Sequence, residues 1–364
     1  MFVRSAPSLG VLLAAGALAL VTGCAVDGSA ASSSASAAGP TGSTTVRLLA
    51  HDSFVVSESL IADFERDTGL DLEIMTGGDA GAMVAGAILA SGAPTADVLF
   101  GVDNTLLSRA LDAGVFEPYA AAEADSVEPG LLNGFEEDMV TPIDYGDVCV
   151  NIDDEALAAR GLPAPQALDD LVRPAYRDLL VVEDPGTSSP GLAFLLATIA
   201  RYGDRWPEYW QQLSDNGVQV AASWTDAYLG DFSGGGGEGS RPLVVSYATS
   251  PPAEIVYAAD PKPTRPSTSV MTDGCYRQVE YAGVLAGAAN TAGAQKVVDW
   301  LLSEPVQADV PLSMFVFPAR VGTPVPDVFR DFAADVTSPL RLAPADVAEN
   351  LPTWLADWGT VMDR

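Results

Sequence analysis

This sequence predicts an α/β protein of two lobes joined by a two-strand hinge. Three observations predict it. Apolar, strand-like runs alternate with helical runs, and each strand ends in a polar turn. Two long extended stretches, Pro142 to Ile152 and Tyr276 to Leu285, bracket a second series of such units. The composition, 48% hydrophobic and 18% charged, suits a well-buried body, and 364 residues suffice for about two domains.

The chain opens with an export signal over residues 1–23. Arg4 supplies the charged start, and the apolar run Leu9 to Val21 is too short to cross a bilayer as a stable helix. It ends in Val21-Thr22-Gly23-Cys24, which resembles the bacterial lipobox and implies lipid on Cys24. Residues 24–45 form the lipidated Cys and a tether of Ser, Ala, Gly and Thr, flexible, with a mean reach of roughly 25 Å. No later segment is apolar enough to cross a membrane. The expected location is the outer face of the cell membrane, held by the lipid anchor alone.

Val46 to Ala50 reads as a buried strand running into His51-Asp52-Ser53-Phe54. A helix with Leu60, Ile61 and Phe64 on one face follows, and Gly69 stops it. Leu70 to Met75 is the next strand, ending in Thr76-Gly77-Gly78-Asp79-Ala80-Gly81 before a small-residue helix over 82–90. Ala96 to Phe100 is a third strand, its turn Gly101 to Asn104, its helix ending at Gly114. Strand–helix units in series imply a parallel sheet whose turns gather along one edge. After the first long strand come Leu179 to Val182, then Val218 to Ala222 with Ser223-Trp224-Thr225-Asp226, then Leu243 to Ser246 with the turn Tyr247 to Pro252. The nearly all-Gly stretch 233–240 reads as a flexible surface insertion, because no Gly-x-Gly-x-x-Gly stands between strand and helix. Helices carrying Val297, Val298, Leu301 and Leu302, then Trp354 and Trp358, close the body. The lobes expected from this are 46–144 plus 279–364, and 145–278. The cleft between them receives the turns of both.

The most informative turn is Asp184 to Leu192. Ser188 or Ser189 can cap the helix that follows, and Pro190 suits its first turn. A helix start at the end of a strand favours an anionic or strongly polar ligand group, although an ordinary well-capped turn has the same sequence. Asp52, Asp79 and Asp103 suit helix caps equally, and Trp224 and Tyr247 suit core positions.

Charge narrows the partners. The net charge is -31, from 49 acids against 18 bases, and Lys occurs only at Lys262 and Lys296. Such a surface opposes nucleic acid and anionic membranes and mildly favours a cationic ligand. Enzyme chemistry is poorly supplied: one His, no metal-ligand spacing and no Gly-x-Ser-x-Gly elbow. No catalytic residue, metal or cofactor is expected, and His51 reads as a polar group at a strand end.

Seven motifs together resemble the thiamine-binding proteins of bacterial ABC importers, a family of two-lobed, type II periplasmic-binding-protein-like solute-binding proteins. They are H-D-S-F at 51–54, A-D-V-L-F-G-V-D-N-x-L-L at 96–107, P-I-D-Y-G at 142–146, D-P-x-T-S-x-P-G-L at 184–192, W-x-x-A-Y at 224–228, S-Y-x-T-S-P at 246–251 and Q-V-E at 278–280. The resemblance implies a monomeric carrier of thiamine or its phosphates that delivers cargo to an ABC permease and catalyses nothing. It puts ligand contacts on Asp79, Ala80, Ser188, Ser189, Trp224, Tyr247, Thr249 and Ser250, with Asp52 beside them. Where the family carries aromatics, this chain has His51, Ala253 and Phe315. A ferric-ion or polyamine carrier, or a secreted thiamine-degrading enzyme, are the competing readings.

Finally, an exported chain keeps disulfides. With Cys24 taken by lipid, Cys149 and Cys275 remain, one where the chain enters the second lobe and one where it leaves. Side-by-side hinge strands would bring them level, so a Cys149–Cys275 disulfide is expected.

Overall fold

The computed structural model describes residues 43–363 except 133, 136 and 137. The signal, Cys24 and nearly all of the tether lie outside the described residues. In chain order the first elements are β1 (Thr45–Ala50), α1 (Glu58–Thr68), β2 (Asp71–Thr76), α2 (Ala80–Leu89), β3 (Val98–Asp103) and α3 (Leu107–Asp112). Then come β4 (Thr141–Asp153), α4 (Asp154–Ala159), α5 (Leu168–Leu171), β5 (Leu180–Glu183), α6 (Ser189–Tyr202), α7 (Trp206–Asp215) and β6 (Gln219–Ala221). The chain ends with β7 (Leu243–Tyr247), α8 (Pro251–Tyr257), β8 (Thr268–Val284), α9 (Thr291–Leu301), α10 (Glu304–Ser313), β9 (Phe317–Pro318), α11 (Asp327–Phe332) and α12 (Pro344–Val361).

Hydrogen bonding links the strands in the order β2-β1-β3-β8-β4-β7-β5-β6, with β9 beside β4. Two lobes share this path. In the first, β1 runs parallel to β2 and β3, and its alternate residues Val46, Leu48 and Ala50 are buried against Phe64 of α1 and Val297, Val298 and Leu301 of α9. In the second, β5 runs parallel to β6 and β7, and α6 lies on them with every residue from Ser189 to Ile199 buried. A helix apolar on all sides belongs inside a protein.

The long strands β4 and β8 pair antiparallel from Thr141↔Ala282 to Asp153↔Thr268 and serve both lobes. Their register slips between Val148↔Tyr276 and Val150↔Met271, so β8 bulges outward opposite Cys149. Cys149 and Cys275 form a disulfide there, with Cα atoms 4.4 Å apart. The C-terminal helix α12 packs on α3 of the first lobe and α7 of the second, and its Trp358 meets Trp210 edge to face at 5.6 Å.

Two local expectations change. Neither Ser188 nor Ser189 caps α6 through its hydroxyl; Ser188 holds the N-cap position without a side-chain bond, because the first amides are served from elsewhere. The Gly-rich stretch is folded back tightly rather than loose. Glu238 N donates to Leu229 O and Gly239 N to Phe232 O, and a Cβ on Gly239 would stand 1.9 Å from Asp231 O. Glycine is there because backbone approaches backbone.

Candidate functional site: a cleft between the lobes

The turns at the carboxyl ends of β1, β2, β6 and β7 converge on one cleft, together with the start of α6 and the segment after α10. It holds about 450 Å³, a size that suits a small molecule. Of the residues named from sequence, Asp52, Asp79, Ala80, Ser189, Trp224, Tyr247, Ser250 and Phe315 line it. Ser188 and Thr249 do not. Both are buried behind the wall, and the Thr249 hydroxyl donates to the Phe315 carbonyl instead.

Asp79 is the pivot of the arrangement. As N-cap of α2 it accepts from Ala80 N at 2.6 Å, and it also reaches into the second lobe. There Ser189 N donates to it at 3.3 Å and Trp224 N at 2.9 Å. Ser189 N is the first amide of α6, so Asp79 serves the helix start across the cleft. Burial pushes the Asp79 carboxyl above its ordinary pKa, and these donors offset only part of the shift. The next turn tightens the contact: Ala82 N donates to Thr187 O at 3.1 Å, and a Cβ on Gly81 would stand 2.5 Å from that oxygen. Gly81 is therefore the residue that lets the lobes touch.

One wall is aromatic. The Trp224 ring stacks on Tyr228 at 5.0 Å and 14°, while its Nε1 donates to Ser246 Oγ, which lies 3.0 Å from Ser250 Oγ. Tyr228 belongs to a π-helical turn at Asp226–Asp231. Beside this wall, Tyr247 OH donates to Gln278 Oε1 and Gln278 Nε2 donates to Ser189 Oγ, so a strand of the hinge orients both residues.

The floor carries charge. His51 is buried, with Nε2 3.5 Å from Glu280 Oε1. Burial works against an imidazolium, but Glu280, with Asp79 and Asp52 beyond it, outweighs burial and raises the His51 pKa. Burial likewise works against the Glu280 carboxylate, and His51 together with the Asp144 carboxyl wins, holding it below its ordinary value. Asp144 is fully buried, and both burial and the Glu280 charge push its pKa well up. The floor is thus a histidine–glutamate pair with a buried carboxyl behind it. Among the described residues, no group of three or more His, Cys, Asp or Glu is placed to hold a metal ion.

Sequence reasoning gave no ligand role to His51, Glu280, Tyr228, Tyr257 and Met314, which also line the cleft. Glu280 had a signal, since Q-V-E was among the motifs, but a carboxylate on a hinge strand shows its neighbours only in three dimensions.

A profile of the bacterial extracellular solute-binding proteins matches residues 93–338 of this chain. The chain belongs to that family. Its lobes, hinge and cleft have the shape such a carrier needs, and membership puts the folded body outside the cytoplasm. Among curated relatives, a thiamine-binding periplasmic protein of Escherichia coli (strain K12) is 31% identical over 83% of this chain and 87% of its own length. One of Brucella suis biovar 1 (strain 1330) is 28% identical over 88% and 92%. A solved periplasmic thiamin binding protein superposes with a TM-score of 0.78 at 28% identity, covering 88% of this chain and 96% of that one. Iron-bound HitA from Pseudomonas aeruginosa, at 19% identity and TM-score 0.68 over 86% and 99%, shares the fold. No helix among the described residues is long and apolar enough to cross a membrane.

Proposed function

We propose that this solute-binding protein captures thiamine or its phosphates outside the cytoplasm and hands them to an ABC permease, without catalysing a reaction. The signal over residues 1–23 and lipid on Cys24 would tether it to the outer face of the membrane as a monomer. The observation that carries the reading is the cleft that Trp224 and Asp79 line together, the Trp224 backbone N–H donating to the Asp79 carboxylate and its ring stacked on Tyr228. Thiamine combines a flat aminopyrimidine with a cationic thiazolium. An aromatic face next to an acid serves both, through stacking and through cation–π attraction worth about 1–2 kcal/mol when desolvated. Asp52 and Glu280 add negative charge to the same cleft, and Ser250 and Tyr247 offer hydroxyls. The family resemblance and the thiamine-binding relatives point the same way.

The test is a fluorescence titration of the soluble domain with thiamine, its mono- and diphosphate, spermidine and ferric ion. Thiamine compounds are expected to quench the tryptophans, and Trp224→Ala is expected to weaken thiamine at least tenfold. Saturable binding of iron or spermidine with none of thiamine would overturn the reading, and unchanged affinity in Trp224→Ala would remove Trp224 from it.

A further inference from the structure

We propose that Tyr257 is a cargo-binding residue, supplying the outer aromatic face that holds the ring of the cargo. The inference rests on the thiamine reading above. Large apolar side chains exposed in isolation are unremarked on most proteins, but here they cluster. Tyr257 is 69% exposed, and Val55 and Leu229, at 53% and 47%, line the same cleft.

The ring is carried on an anchored element. Glu254, in the first turn of α8, accepts from Ser267 N at 2.8 Å, from Ser267 Oγ at 2.6 Å and from Thr268 N and Oγ1. Lys262 Nζ donates to Val256 O near the other end of the helix. Ala253 lies one helical turn before Tyr257 on the same face and also lines the cleft, so its small side chain leaves room beneath the ring.

Tyr257 also ends a row of rings. It meets Phe315 at 5.3 Å, and Phe315 stacks on Phe329 at 5.9 Å and 17°. Phe329 meets Phe317 edge to face at 5.8 Å, and Phe317 stacks on Tyr145 of the hinge strand β4 at 5.4 Å. Phe315 itself sits at φ 56°, in the left-handed region that favours glycine, and the Thr249 hydroxyl holds its carbonyl there. A residue kept in that conformation places its ring deliberately. With Trp224 and Tyr228 forming the other aromatic wall, the cleft has two, and Tyr257 is the part of the second that still shows a free face to a flat, electron-poor ring.

The experiment compares wild type, Tyr257→Ala and Tyr257→Phe by thiamine titration, by melting temperature, and by nitration of Tyr257 with and without thiamine. Tyr257→Ala is expected to lose about tenfold in affinity with an unchanged melting temperature, Tyr257→Phe to stay within about twofold, and thiamine to protect Tyr257 from nitration. Wild type that binds thiamine while Tyr257→Ala binds equally well, or while nitration is unaffected, overturns the role of Tyr257 alone. Equal weakening in Ala and Phe variants overturns the aromatic face in favour of the hydroxyl. Failure of wild type to bind thiamine overturns the functional reading and this inference with it.

Discussion

At the scale of single residues, burial and charge compete among the buried acids near Glu280. Asp103, at the end of β3, is fully buried and accepts from Thr105 N, Thr105 Oγ1 and Leu106 N. Burial is the stronger influence and carries its pKa to about 7, with the Glu280 charge adding to the rise. A carboxyl whose folded pKa exceeds its unfolded value binds more protons in the folded state, so stability falls as pH rises from about 4 through 7. For Asp103 alone that amounts to roughly 4 kcal/mol between pH 4 and pH 8. His51 acts in the same direction at the alkaline end: with its pKa raised, its contribution is present below about 6.5 and disappears as pH climbs through the folded value. The melting temperature is therefore expected to be higher at pH 5 than at pH 8, and Asp103→Asn to flatten the slope. A pH series of thermal melts on both proteins checks this, and parallel curves would remove Asp103 from the account. The same residues mark how far the site was legible. Asp79, Trp224 and Tyr247 could be named through the family resemblance, since their places after apolar runs suit caps and core positions equally. Ser188 and Thr249 share that signature, yet the chain turns them inward, and only coordinates distinguish the two outcomes. His51 read as a strand end because its partner Glu280 lies 229 positions away in sequence and 3.5 Å away in space.

At the scale of elements, most strands were legible, since alternating and continuous apolar runs name them directly, but β8 begins at Thr268 rather than Tyr276 and the two-residue β9 gave no such run. Boundaries moved where the turn chemistry was misjudged. Helix α2 begins at Ala80 rather than 82 because Asp79 already caps it, and β3 extends to Asp103 because its partner β8 continues alongside. The contact between α2 and the turn before α6 was invisible, because nothing in either segment announces the other. It depends on Gly81. Any side chain there would meet the Thr187 carbonyl at 2.5 Å, and backbone cannot give way as a flexible side chain can. Gly81→Ala is expected to hold the lobes apart and weaken ligand binding at least tenfold, while lowering the melting temperature only slightly, since α2 itself gains helix propensity. Small-angle scattering of the variant should give a larger radius of gyration than wild type. An unchanged radius with unchanged affinity would mean that the lobes close without this contact.

At the scale of the whole molecule, β4 and β8 connect the lobes, α12 touches both, and the disulfide fastens β4 to β8 at the level of the second lobe. Closing a loop between cysteines 126 residues apart restricts the unfolded chain, by roughly 4–5 kcal/mol in the entropic description. Neither cysteine lines the cleft. Reduction, or the double change Cys149→Ser and Cys275→Ser, is therefore expected to lower the melting temperature by several degrees and leave thiamine affinity within about twofold. A large loss of affinity would tie the bridge to closure instead. The bridge also imposes an order of assembly. A chain that leaves the cytoplasm N-terminus first delivers Cys149 to the oxidising side while Cys275 is still inside, so the earlier thiol must wait for its partner. In that interval the only other thiol outside belongs to Cys24, because the chain has three cysteines in all. Lipid on Cys24 would leave Cys149 with a single partner to find, so the group proposed to anchor the protein would also keep its oxidation free of error.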